Sequence, residues 1–580
     1  MCGIAGFNWQ DKELIKAMNK SLKHRGNDDS GVFVDKGVSL GHQRLSIIDL
    51  SKAGGQPMCD KEGDLTITFN GEIYNFKELR EEHLAEFDFK SDCDTEVLIY
   101  LYKKYGVGML SKLNGMFAFC IYDSRNKSFF VARDRFGIKP LYYYWKDSKF
   151  IFASELKALL EYVPMNIDKE AVREFFCLGY TIKSICKDTH KLGPGEFLFL
   201  QGNKLQRQRY YSNQFKNHNS KTTNAKHILE LLEESVKKRL IADVPVGAFL
   251  SGGVDSSTIC ALTKKHKENL KTFSIGFEYK GFDESKWSNK VAELLGTEHY
   301  QIGFSAEHIR KLIPKLTEFF DEPFADPAMI PTYLVSKVAM KHVKVCLSGD
   351  GGDEVFGGYE RYHLYKFLKY HSHTPKCITQ YVYQPMLNVL WKLTNSHFFN
   401  KGLKLIEQPK LSRHEIYAMT MAYKYDREVF KQFSNYKNIY ECDFNIYLPH
   451  DILTKTDRAS MARTLECRVP FLDHNLVGLN AQIPGKILLK KAVRNLLPKE
   501  IIHRKKQGFS VPLKHYFRNE LKDYVEQLLF SKNKTIEKFI NPECFKKLWV
   551  NHKAKAQDNC YELFAFVQFA EWLKKWGEKE

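Results

Sequence analysis

The sequence predicts a two-domain protein in which a strand-rich α+β domain precedes a parallel α/β domain, and three observations carry that prediction. At 580 residues and 67.6 kDa the chain is about four times a ~150-residue domain, so two or three separate cores are expected. The first two hundred residues hold short strand-like runs, LTITFNGEIY, GMFAFCIYD, KSFFVARD and GEFLFL, with turn residues between them. From Ala225 the order becomes helix (HILELLEESVKKRLI), strand (VGAFL), Gly/Ser turn, helix (DSSTICALTKKH) and strand (KTFSIGF), the alternation of a parallel sheet.

Helices are expected near residues 11–24 and 94–105 of the first domain, and YYSNQFKNHNSKTTNA at 210–225 lacks a sustained hydrophobic period and reads as the linker. The expected boundaries are 1–210, 225–515 and a helical C-terminal extension at 516–580. VKVCLSGDGGDE, from Val343, repeats the strand-to-loop arrangement. The 365–450 region is aromatic and basic, with helices such as HEIYAMTMAYKY inserted around the core. Near the end, Leu563, Phe566, Val567, Ala570 and Leu573 can share one helical face, which predicts core packing.

With 43% hydrophobic and 27% charged residues, the composition suits packed domains and excludes long disorder. A net charge of +19 leaves nucleic acid, anionic membranes and phosphate-bearing ligands open. No RNP-like aromatic pair, C₂H₂ spacing or concentrated basic tail supports nucleic acid as a partner. No segment approaches the ~20 continuous apolar residues of a membrane span and no leader is evident, so no membrane partner and a cytoplasmic location are expected. Thirteen cysteines without a CxxC pair indicate neither a metal knuckle nor a disulfide framework.

Cys2 stands out by position. If Met1 is removed, it carries a nucleophilic sulfur together with an α-amine of pKa near ~8, and the pair can perform acyl transfer on an amide, releasing ammonia from a thioester. SGGVDSS at 251–257 follows a strand and opens a helix, where successive backbone N–H groups cradle an anion. It has neither the GxxxxGK[ST] nor the GxGxxG spacing, which disfavours a P-loop NTPase and a dehydrogenase. LSGDGGDEVFGGY at 347–359 places a second acidic loop after another strand. Aspartates from the two loops, Asp255 and Asp353, are the candidate ligands for Mg²⁺.

CGIAG, LKHRGNDDSG, LGHQRLSIIDL, FNGEIYNFKELR and SDCDTEVLIYLYKKYG occur in order, and the series resembles the glutaminase domain of the class II, N-terminal-nucleophile amidotransferases. That resemblance implies Cys2 as nucleophile and Asn70 and the Gly71 N–H as oxyanion donors. It implies Arg44 on the glutamine carboxylate and Asp94 on its ammonium, with Glu72 supporting that end. Asn27 departs from the usual HRGPD. SGGxDS resembles the pyrophosphate loop of the ATP pyrophosphatases, which implies ATP and pyrophosphate binding by Ser251, Gly252, Gly253, Asp255, Ser256, Ser257 and Gly349.

FDESKWSNKVAELLGTEH, FFDEPFADPAMIPTYLVSK, LTKTDRASMARTLECRVPFLD, GKILLKKAVRNLLP and RKKQGFSVP complete a resemblance to the glutamine-hydrolysing asparagine synthetases across nearly the whole chain. The implied fold is an αββα glutaminase sandwich joined to a parallel α/β synthetase domain of the adenine-nucleotide α-hydrolase type. Asp350 would take a proton from ammonia, although many members have glutamate there. Lys486 would reach the phosphates, and Lys490 stands where arginine is common. Asp321, Asp326, Asp457 and Arg458 would line the pocket. The implied partners are ATP, glutamine and aspartate, with Mg²⁺ as cofactor and a homodimer as candidate assembly. Another carboxylate, such as a sugar uronic acid in surface polysaccharide synthesis, remains open as the acceptor.

Overall fold

A computed structural model describes residues 2–213, 224–279, 281–363, 365, 385, 412–424, 426–504, 511–531 and 533–577. The middle of the expected linker, most of the 365–450 region up to residue 411, and 505–510 of the RKKQGFSVP motif lie outside the described residues.

The first domain is built from β1 (Gly3–Phe7), β2 (Asp29–Asp35), β3 (Val38–Arg44), β4 (Met58–Cys59), β5 (Leu65–Ile73), β6 (Gly115–Asp123), β7 (Ser128–Arg133), β8 (Tyr142–Lys146), β9 (Lys149–Ala153), β10 (Thr189–Lys191), β11 (Glu196–Gln201) and β12 (Lys204–Arg209). They form two six-stranded antiparallel sheets, ordered β10-β8-β9-β1-β3-β2 and β12-β11-β7-β6-β5-β4. The apolar run of β6 explains the layering, because successive side chains point to opposite faces. Ala118, Cys120 and Tyr122 pack with Ile4, Val38 and Leu40 of the other sheet. Phe117, Phe119 and Ile121 turn outward under Val97, Leu98 and Leu101 of the Asp94–Tyr105 helix. On the other side the Lys12–Ser21 helix lays Ile15 and Met18 over Ala5, Phe7 and Ile151. The result is the expected αββα sandwich.

The second domain holds a five-stranded parallel sheet of β13 (Val246–Phe249), β14 (Lys271–Phe277), β15 (Glu298–Phe304), β16 (Val345–Leu347) and β17 (Glu466–Arg468), ordered β15-β14-β13-β16-β17. The chain runs outward from β13 through β14 and β15, then returns to place β16 on the other side of β13. Ligands of open α/β sheets bind at such a reversal, beyond the carboxyl ends of the strands. The loops leaving β13 and β16 are the two that the sequence singles out.

The Cys560–Trp576 helix buries more than one face. Phe564, Phe569 and Trp572 are enclosed as well as the five residues expected. Phe569 packs on Phe175 and Phe176, with ring centroids 6.0 and 5.1 Å away, and Trp572 Nε1 donates to the Asp321 carbonyl at 3.0 Å. This helix therefore ties the two domains together. Phe569→Ala is expected to cost about 3–5 kcal/mol. Thermal unfolding should show a midpoint well below that of the parent.

Candidate active sites

Cys2 immediately precedes β1 and is buried. Its backbone nitrogen donates to Asn70 Oδ1 at 3.0 Å, which leaves the fully buried Asn70 Nδ2 without a hydrogen-bond partner among the described residues. A buried amide donor is costly to leave unpaired, although Asn70 itself is not among the residues lining the pocket beside Cys2. Gly71 follows on β5, where a Cβ would sit 2.1 Å from the Met116 carbonyl oxygen on β6. Close approach of the two strands thus requires glycine and keeps side-chain atoms away from its N–H.

Arg44 ends β3, with its guanidinium held by the carbonyls of Asp49 at 2.5 Å and Ser51 at 3.0 Å. Asp94 begins its helix and accepts from the Ile73 N–H at 2.8 Å. Burial pushes its carboxyl up to about 7. Burial also raises the Cys2 thiol, against the pull of the amino terminus, the Leu45 backbone and Arg44. Cys2, Arg44, Gly71, Glu72 and Asp94 line one small pocket.

The second domain completes this pocket. Glu466 of β17 lines it, and Arg468 donates to both Glu466 and Glu72. Glu72, expected at the ammonium end, is thus ion-paired across the domain boundary. The LECR segment stands within a recognised motif, but nothing in its spacing links it to the glutaminase pocket.

A second cross-domain contact lies behind Cys2. Arg25 Nε donates to the Cys2 carbonyl at 3.0 Å, while its other nitrogens reach Asp457 at 2.8 and 3.1 Å and Glu155 at 2.7 Å. Arg458 reaches Glu155 at 2.9 Å and Asp321 at 3.1 Å. These residues are buried. Burial opposes ionisation of Glu155, yet Arg458, His24, Lys157 and Arg25 outweigh it and hold the carboxyl well below its ordinary range. Asp457 is lowered likewise, burial being outweighed by Arg25 and Lys139. Asp321, Asp457 and Arg458 therefore form a junction between domains and do not line the ATP-side pocket as expected; Asp326 does.

That pocket is a cavity of about 720 Å³ at the sheet reversal. Ser251, Gly253, Asp255, Ser256, Gly349, Asp350, Asp353, Lys486 and Lys490 all line it. Gly252 and Ser257 do not. Gly252, at φ +74°, makes the turn against the Trp287 backbone, and Ser257 points into the helix packing with its hydroxyl buried. Gly349 lets the two loops touch, since a Cβ there would lie 2.9 Å from the Ser256 nitrogen. Asp350 Oδ2 accepts from Ser348 Oγ at 2.7 Å and Thr456 Oγ1 at 2.8 Å. Lys486 Nζ bridges Asp353, at 2.7 Å, and Asp255. Lys490 is partly exposed, and burial followed by repulsion from Lys486 lowers its pKa.

Residues 1–211 match the glutamine amidotransferase domain family and residues 227–574 the asparagine synthase family. The chain belongs to the asparagine synthase family. It is 35% identical to asparagine synthetase [glutamine-hydrolyzing] 1 of Bacillus subtilis, over 99% of this chain and 96% of that protein. It is 43% identical to the putative asparagine synthetase [glutamine-hydrolyzing] 2 of Methanocaldococcus jannaschii, over 62% of this chain and 76% of that one. Among solved structures, glutamine phosphoribosylpyrophosphate amidotransferase of B. subtilis is 17% identical over 52% of this chain and 65% of its own, with a TM-score of 0.29. As a member of this family the chain is a glutamine-dependent carbon–nitrogen ligase. Among the described residues no helix is long and apolar enough to cross a membrane.

Two predictions follow from this geometry. Asp457→Ala leaves Arg25 buried without its bidentate partner and should cost about 3–5 kcal/mol, while Arg25→Met with Asp457→Leu recovers part of the loss. Because both Glu155 and Asp457 titrate below their ordinary values, the junction's contribution is full above about pH 4.5 and is lost on acidification through the folded values. Unfolding midpoints across pH 3–7 measure both effects. The second concerns Asp94. If Asp94 holds the ammonium of glutamine, only its ionised form attracts it, so kcat/KM for glutamine should fall tenfold per pH unit below about 7, and Asp94→Asn should remove that slope along with most activity.

Proposed function

We propose that this enzyme hydrolyses glutamine at Cys2 and uses the ammonia to amidate the side-chain carboxylate of aspartate through an acyl-adenylate. The observation that carries this reading is the pairing, in one chain, of a pocket lined by Cys2, Arg44, Gly71 and Asp94 with a two-loop Gly/Ser and Asp lining at a sheet reversal.

With Met1 removed, the nitrogen that now donates to Asn70 becomes the α-amine and takes the thiol proton, directly or through water. Cys2 Sγ attacks the glutamine side-chain carbonyl, Asn70 Nδ2 and the Gly71 N–H stabilise the oxyanion, and ammonia leaves. Water then cleaves the thioester to glutamate. Arg44 and Asp94 hold the two charged ends of glutamine.

In the second domain a carboxylate oxygen of aspartate attacks the α-phosphorus of ATP, and pyrophosphate departs. The amides around Ser251–Ser256 and the Lys486 ammonium receive the phosphate charge. Ammonia adds to the acyl-adenylate, Asp350 accepts a proton from it, and AMP leaves to give asparagine. Asp255 and Asp353 converge on one ammonium, Lys486, and present hard oxygen donors of the kind Mg²⁺ binds through one or two carboxylates plus phosphates. When bound with ATP, Mg²⁺ would neutralise phosphate charge. Ammonia must cross between the sites uncharged, and Leu45, Ile47, Tyr74 and Met116 of the first domain share an apolar cluster with Val246, Val345 and Leu347 of the second. Such surroundings favour ammonia over ammonium.

Cys2→Ala should abolish glutamine-dependent asparagine formation and leave ammonium-dependent formation measurable. Amide and AMP quantified with each nitrogen source test this; loss of both activities in a folded protein would contradict the division of labour.

A further inference from the structure

The loop that follows Arg44 is fastened in three places, and Asp49 is the residue common to them. Its backbone stands at φ +51°, a left-handed conformation that a residue with a side chain keeps only where its surroundings impose it. That turn brings the Asp49 carbonyl to Arg44 Nη2 at 2.5 Å, while the Ser51 carbonyl accepts from Arg44 Nη1 at 3.0 Å. Asp49 Oδ1 accepts from the Ser51 N–H at 3.0 Å and from its hydroxyl at 2.5 Å, so the two carbonyls that turn the guanidinium are locked to each other. Gly54 closes the loop against the same group, since a Cβ there would strike Arg44 Nη2. Asp49 Oδ2 accepts from the Asp92 N–H at 3.1 Å. Asp92 lies two residues before Asp94, and one carboxylate thus joins the segments that carry Arg44 and Asp94.

The third fastening comes from the other domain. The Asp49 N–H donates to Asp243 Oδ2 at 2.8 Å, and the Asp243 N–H donates to the Ile47 carbonyl at 2.9 Å. Asp243 stands three residues before β13, the strand that leads to the Ser251 loop. Earlier in the Arg44 loop, the Ser46 N–H donates to Asp28 Oδ2, and Lys344 of the second domain holds that same oxygen, both at 2.8 Å. Burial opposes the charge of Asp49, but Ser51, the Asp92 N–H and Arg44 outweigh it and lower its pKa. Asp49 therefore accepts these bonds as a carboxylate. It is half-buried and Asp243 is exposed, which limits each bond to a modest effect.

We propose that Asp49 is a positioning residue that sets the spacing between Arg44 and Asp94, the groups that hold the two charged ends of glutamine, and that Asp243 of the second domain keeps it in place. Glutamine affinity in the first domain is then set in part by the docked second domain. Neither Asp49 nor Asp243 is among the residues lining the glutamine pocket, so both act through the residues that are. The proposal rests on the reading of that pocket as the glutamine site.

Glutamate release from L-glutamine, and pyrophosphate release with ammonium chloride and L-aspartate, are measured for the full-length enzyme and its variants. Asp49→Gly keeps the left-handed turn, which glycine adopts freely, and removes only the side-chain bonds. It should raise KM for glutamine about 3- to 10-fold, with kcat within twofold of the parent and ammonium-dependent turnover unchanged. Asp243→Ala should act in the same way, and Asp243→Asn, which retains an acceptor oxygen for the Asp49 N–H, should restore the parent KM. An unchanged KM, a fall in kcat alone, an equal loss of ammonium-dependent turnover, or no rescue by asparagine would overturn the proposal while leaving glutamine hydrolysis intact. If the parent releases no glutamate, the glutaminase reading fails. Calorimetric titration with L-glutamine then decides the positioning role: binding that weakens in Asp49→Gly upholds it, and binding that is absent or unweakened refutes it.

Discussion

The structure depends on a guanidinium that is wholly enclosed at the boundary between its domains. Arg25 bonds at once to the carbonyl of Cys2, to Glu155 of its own domain and to Asp457 of the other. A buried charge of this kind persists only when its donors are used, and here every nitrogen of the fork has an acceptor. Asp457 follows Thr456, which holds Asp350, on the Leu453–Met461 helix. The backbone of Cys2 and the carboxylate of Asp350 are therefore positioned from adjacent residues of one helix. A displacement of that helix cannot be confined to one site.

The second seam has the same character. β17 extends the parallel sheet at its edge, pairing with β16 in the register Val345↔Glu466 and Leu347↔Arg468. The chain leaves β16 toward the acidic loop of the synthetase site, while β17 delivers Glu466 and Arg468 to the glutamine pocket. The carboxylates of Glu72 and Glu466 share Arg468 between them. The first domain supplies Cys2, Arg44, Gly71 and Asp94 to this pocket, but part of its wall belongs to the second.

How much of this was legible follows the range of the interactions. The Gly/Ser loops are legible because phosphate chemistry and tight turns demand those residue types locally, and the alternation of β6 shows both of its faces. The ordered motifs identify Cys2, Asn70 and Asp94 by resemblance. Pairings across hundreds of residues leave no such mark: Arg25 with Asp457 and Glu72 with Arg468 are separated by 432 and 396 positions. Asp457 and Arg458 lie in a quoted motif, so the sequence suggests importance for them, yet only the fold shows that they face the other domain. Gly252 and Ser257 fall outside the cavity lining for a simpler reason. A loop entering a helix turns its residues to different sides, and sequence adjacency does not say which of them meet the cavity.

Lys486 shows how the phosphate end of the synthetase cavity is balanced. Its backbone adopts a left-handed conformation, φ +57°, and its side chain is buried between Asp255 and Asp353. Burial works against its charge, but the two carboxylates prevail and raise its pKa. In this arrangement the ammonium and the two carboxylates compensate one another within the cavity. A polyphosphate brings negative charge to the same place, where it competes with the aspartates for the lysine and leaves them available to another cation. The ammonium and the carboxylates can thus exchange partners within one cavity, which keeps the site compensated both before and after the substrate enters.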